Sequence, residues 1–142
     1  MGRIRTLAAS SAVAGVILLT AGCDASRGVI PVEGRISFAG QPPPSPGYVY
    51  FVPLDGKAGG ADDDTRPRAG TAIFTPDGMF TVTTFKQHDG LRTGRYEARV
   101  ECSFPAEAHS AAKTAVPPGF KPPEVTVSTE GPRPARVEID VR

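Results

Sequence analysis

From Val29 onward, apolar and polar residues alternate in short segments broken by glycine and proline, and no segment carries the period of a helix. Val32, Gly34, Ile36 and Phe38 fall on one face of a first strand, with Glu33, Arg35 and Ser37 on the other. The stretch from Ala39 to Gly47 holds Pro42, Pro43, Pro44 and Pro46 and forces a turn, because proline lacks the ladder donor and fixes φ. Tyr48 to Val52 follows as an aromatic and β-branched strand. With Val49 and Phe51 turned inward, Tyr48 and Tyr50 stand on its outer face.

Leu54 to Pro67 reads as a loop, and the clearest hairpin comes after it. Ala69 to Phe74 and Met79 to Thr84 flank Thr75-Pro76-Asp77-Gly78, where proline suits the first central turn position and glycine accepts φ > 0. Phe80 and Val82 then face the core. A turn at His88-Asp89-Gly90 leads to the most regular strand, in which Tyr96, Ala98, Val100 and Cys102 alternate with Arg95, Glu97, Arg99 and Glu101. A strand apolar on one face and charged on the other suits an antiparallel sheet. Ser103 to Pro123 reads as a long proline-rich connection, with one helical turn expected over Glu107 to Thr114. Val125 to Ser128 and Ala135 to Val141 close the domain. The pattern predicts an all-β fold, a seven-stranded antiparallel Greek-key sandwich spanning residues 29–142.

The N-terminal region has a different character. Arg3 and Arg5 precede an apolar run from Leu7 to Thr20, and the small residues Ala21 and Gly22 stand directly before Cys23. The run is shorter than the roughly 20 apolar residues of a transmembrane helix and suits a secretory signal. The junction Thr20-Ala21-Gly22-Cys23 resembles the lipobox of bacterial lipoproteins, with Thr20 where that family usually has leucine. The resemblance implies cleavage before Cys23, a diacylglyceryl group on its sulfur and an acylated amino terminus. The expected organisation is therefore a signal peptide over residues 1–22, a lipidated cysteine with a small polar spacer over 23–28, and the β domain. It also implies an exported protein, held to a membrane by its lipid and facing the periplasm or the cell surface, since several acyl chains anchor essentially permanently.

Charge and chemistry narrow the functional classes. Removing Arg3 and Arg5 from 16 basic and 15 acidic residues takes the formal charge from +1 to −1, which offers no basic footprint for nucleic acid. With Cys23 lipidated, Cys102 is the remaining thiol, and its register with Tyr96, Ala98 and Val100 makes it a buried small hydrophobe. Asp62-Asp63-Asp64 fails as an EF-hand because Pro67 occupies the position that requires glycine. His88 and His109 have no cysteine or acid at a zinc-binding spacing, and no G-x-S-x-G nucleophile elbow is present. No catalytic residue, metal ligand or cofactor is expected. Tyr48 and Tyr50 are the candidate ligand contacts, since aromatic rings on an open sheet can stack on sugars; packing under the neighbouring loop or pairing across strands is the preferred account of them. Tyr96 suits a core tyrosine whose hydroxyl reaches backbone at a strand corner.

The order of these segments resembles small planctomycete lipoproteins and, more distantly, carboxypeptidase regulatory-like and transthyretin-like sandwiches. The resemblance rests on Val32-Glu33-Gly34-Arg35-Ile36, Phe38-Ala39-Gly40-Gln41-Pro42, Gly47-Tyr48-Val49-Tyr50-Phe51-Val52-Pro53, Pro76-Asp77-Gly78-Met79-Phe80-Thr81-Val82, Asp89 to Val100, and Val116-Pro117-Pro118-Gly119-Phe120. It implies a seven-stranded sandwich exported to the envelope. The lipobox, the strand pattern and the absence of a catalytic constellation in the sequence together point to a non-catalytic structural or protein-interaction module that meets envelope proteins or, alternatively, a module that binds a glycan or cell-surface polymer. The resemblance carries over no catalytic residues; a loop-built hydrolase is the remote third class.

Overall fold

The computed structural model describes residues 28–55, 66–106 and 111–142. Cys23 and its spacer as far as Arg27, Asp62 to Asp64, and His109 lie outside the described residues. The described chain is all-β: β1 (Val29–Ile30), β2 (Val32–Phe38), β3 (Gly47–Pro53), β4 (Gly70–Phe74), β5 (Met79–Thr81), β6 (Leu91–Arg92), β7 (Gly94–Glu101), β8 (Glu124–Val127) and β9 (Ala135–Val141). Seven strands form one curled, nearly barrel-like sheet in the order β8-β7-β3-β4-β5-β2-β9, while β1 and β6 pair as a small separate sheet.

The inward residues are those the alternation selects. Val32, Ile36, Val49, Phe51, Phe80, Val82, Tyr96, Ala98, Val100, Cys102, Val137, Ile139 and Val141 are all buried in one cluster. Two glycines on this inner face make room for aromatic rings. A Cβ on Gly34 would lie 2.4 Å from the Phe80 ring, and one on Gly47 would lie 2.5 Å from Phe74. Phe51 of β3 meets Phe80 of β5 across the core with ring centroids 6.1 Å apart.

The β4–β5 hairpin turns as its sequence requires. Gly78 N–H donates to the Thr75 carbonyl at 2.8 Å and Thr75 N–H to the Met79 carbonyl at 3.0 Å. The Thr75 hydroxyl also donates to the Asp77 carboxylate. Gly78 has φ +85°, and a Cβ there would lie 2.1 Å from the Ile36 carbonyl oxygen. The Gly78 carbonyl accepts from Ile36 N–H at 2.8 Å, which ties the turn to β2.

Three expectations require correction. First, the sheet is mixed: β9 runs parallel to β2 from Val32↔Ala135 to Phe38↔Val141, and every other strand pair is antiparallel. Alternation sets which face is buried but is the same for a parallel or antiparallel partner, so it does not disclose direction. Second, the two-residue strands β1 and β6 add a second sheet, with Ile30 opposite Leu91. Third, of the helical turn expected over Glu107 to Thr114, residues 107–110 lie outside the described residues and residues 111–114 are not helical. Phe104 N–H donates to Lys113 and Ala115 N–H to Cys102, extending the β7 end as a strand-like pair.

Candidate functional site

The outer face of β3, β4 and β5 carries the most distinctive surface among the described residues. Register lines up Glu101, Tyr48 and Ile73 across β7, β3 and β4. Continuing across the sheet, Thr81, Glu33 and Arg136 align over β5, β2 and β9. Between these rows lies an open groove of about 600 Å³, lined by Tyr48, Ile73, Met79, the threonines 71, 75, 81 and 83, Glu33, Gln87 and His88. Tyr48 is 45% exposed, Met79 47% and Ile73 63%. Three sizeable apolar side chains thus face water on one side of a sheet whose other side is fully packed.

Tyr48 and Tyr50 both project outward from β3, their rings nearly parallel at 16° with centroids 6.0 Å apart. Loss of hydration raises the pKa of the Tyr50 hydroxyl, and the adjacent Glu101 carboxylate, which hydrogen-bonds it, raises it further. Tyr48 lines the groove, and Tyr50 is stacked on Tyr48 without lining it. The sequence reading singled out this tyrosine pair but missed Ile73 and Met79. The signal lay in the alternation itself, because each is an apolar residue at a position whose neighbours in the strand turn inward.

The far end of the groove is shaped by the loop after β5. Both carboxylate oxygens of Asp89 accept backbone N–H groups: Thr84 at 2.7 Å, Phe85 at 3.0 Å and Lys86 at 2.9 Å. Partial burial pushes the Asp89 pKa up, but these donors together outweigh it and hold the group below the ordinary carboxylate value. Asp89 is thus the turn residue its context suggests. His88, at φ 60°, donates its backbone N–H to the Thr83 hydroxyl at 2.9 Å, and its side chain lines the groove beside Gln87. The carboxylate next to it in sequence is occupied by the loop backbone, so the two form no acid–base pair. No group of three or more histidine, cysteine, aspartate or glutamate side chains suited to a metal ion occurs among the described residues.

The remaining candidates have structural places. Cys102 is buried, with its thiol 3.4 Å from the Ser45 carbonyl oxygen. Tyr96 donates its hydroxyl to the Arg92 carbonyl at 2.9 Å, four residues upstream, and burial pushes its pKa up to about 12. Arg92 is 3% exposed; it donates to the Arg66 carbonyl at 3.3 Å and lies over the Phe85 ring at 5.1 Å. Sequence reading did not single out this buried cation, whose neighbours come from three separate segments.

Comparison with family models, curated proteins and solved structures gives no match to this chain.

Proposed function

We propose that the protein is a non-catalytic, lipid-anchored module of the cell envelope, tethered through Cys23, that acts as a structural or protein-interaction domain through the outer face of β3, β4 and β5. On this reading the chain is exported, loses residues 1–22, and is of the small planctomycete lipoprotein type with a transthyretin-like or carboxypeptidase regulatory-like β domain. The observation that carries the proposal is the exposure of Tyr48, Ile73 and Met79 together around one groove. Exposed apolar side chains gathered on one face mark interaction surfaces, because their burial by a partner recovers about 25 cal/mol per Å².

A second reading assigns the same face to a glycan or cell-surface polymer. It is favoured by the near-parallel tyrosine rings beside four threonines, Gln87 and His88, which combine stacking surface with hydrogen-bonding groups. Retention of the purified chain on envelope polysaccharides distinguishes the two. The interaction module predicts no retention by polymer, whereas the polymer reading predicts retention that Tyr48→Ala abolishes. Mass spectrometry of the mature amino terminus tests the anchor: a diacylglyceryl-modified Cys23 is expected, and an unmodified Cys23 or cleavage elsewhere removes it.

A further inference from the structure

The two edges of the main sheet are unlike each other. β8 is four residues long and follows Pro122 and Pro123, a short edge that offers little for a further strand to pair with. β9 has seven residues, and its pairing with β2 uses only one side of its backbone. Ala135 N–H donates to the Pro31 carbonyl at 2.8 Å and Ala39 N–H to the Val141 carbonyl at 2.9 Å. On the other side of β2, Ile36 N–H and the Val32 carbonyl serve the β5 hairpin. The odd-numbered residues of β9 therefore bond to β2, and the N–H and C=O groups of Arg136, Glu138 and Asp140 point to the open edge. No backbone partner meets them there among the described residues.

The sequence of this strand, Ala-Arg-Val-Glu-Ile-Asp-Val, is its own complement when reversed about Glu138. A second copy laid antiparallel in that register sets Arg136 opposite Asp140, Val137 opposite Ile139 and Ala135 opposite Val141. The open-edge groups of Arg136, Glu138 and Asp140 then fall at hydrogen-bonded pairs, the arrangement in which both residues exchange N–H and C=O. The Asp140 carboxylate is fixed through Oδ1 by Gly40 N–H at 3.0 Å and the Ser37 hydroxyl at 2.9 Å, while its Oδ2 accepts from the exposed Arg142 at 2.5 Å, a surface contact that an incoming Arg136 shares or displaces. Arg136 meets Glu33 only at 3.6 Å on an exposed surface, a weak contact that leaves it available to exchange. The one unfavourable pair is Glu138 with its own copy, and each of these has Arg35 beside it in register on β2.

We infer that the chain forms a twofold dimer by antiparallel pairing of β9 with β9, centred on Glu138. The inference is independent of the function proposed for the outer face. In such a dimer the two main sheets join into one, and the apolar faces of the two strands continue each other.

Disulfide trapping in the full-length chain tests it. In Glu138→Cys the two introduced thiols face each other across the twofold at a hydrogen-bonded pair, whose Cα separation of about 5.5 Å suits a disulfide. Mild oxidation is expected to give a covalent dimer well above the background of the native chain and of Glu124→Cys, which places its thiol on the β8 edge. Sedimentation of the detergent-solubilised native chain is expected to show a monomer–dimer equilibrium. Glu138→Gln, which removes the like-charge pair, is expected to tighten it by about two- to fivefold, and Arg136→Glu to weaken it. A native chain that stays monomeric at all concentrations, or trapping no faster in Glu138→Cys than in Glu124→Cys, overturns the inference. Should Glu138→Cys fail to fold, sedimentation of the native chain decides alone.

Discussion

Strands β3 and β7 pair residue against residue from Tyr48↔Glu101 to Pro53↔Tyr96, yet their outer faces have nothing in common. Inward they are alike: Val49 and Phe51 of β3 lie against Val100 and Ala98 of β7 in the same buried cluster. Outward, β7 shows Glu97, Arg99 and Glu101, with Arg99 paired to Glu97 at 2.6 Å, whereas β3 shows two tyrosines. The charged face keeps a strand soluble with its neighbours and contributes little stability, since exposed ion pairs are worth roughly 0–1 kcal/mol. The aromatic face, joined by Ile73 and Met79, leaves apolar surface in water. Two strands with one structural task thus differ in the task their surfaces can perform.

Four measurements sharpen that contrast. Phe51→Ala empties the centre of the core opposite Phe80 and is expected to lower unfolding free energy in urea by about 3–5 kcal/mol. Ala98→Leu, at the paired position on β7, is expected to cost about 1–3 kcal/mol by overpacking. Alkaline titration probes the inner face. Tyr96 is expected to ionise near its folded value of about 12, against 10.0 when unfolded. The folded state retains that proton longer than the unfolded chain, so its contribution is intact below pH 10 and is lost as pH rises through 12, and Tyr96→Phe is expected to flatten this part of the stability profile. The smallest effect belongs to the outer face: Tyr48→Ala is expected to change stability by less than about 1 kcal/mol. A loss as large as that of Phe51→Ala would make Tyr48 part of the fold's support and dissolve the contrast.

The inner face was readable because burial leaves a direct imprint on sequence. Val32 to Phe38, Tyr96 to Cys102 and Val137 to Val141 each alternate, and each buries the residues that alternation selects. The Thr75 to Gly78 turn was readable for a second reason, because a residue at φ +85° nearly demands glycine. The partner and direction of β9 were not readable, since they depend on how the chain crosses the sheet from β8 to β2. Of the outer face, the tyrosine pair stood out as aromatics on an exposed side. The groove did not, because Ile73, Met79, Glu33 and His88 come together only once four segments take their register.

Placing a photo-crosslinking amino acid at position 73 of the full chain, in its own cells, tests the central claim that the outer face of β3, β4 and β5 is the working surface. The same group at position 97 on the charged face of β7 serves as the comparison. The account predicts a discrete adduct from position 73, reduced by Tyr48→Ala, and none from position 97. Equal labelling from both positions, or no adduct from position 73, would contradict it.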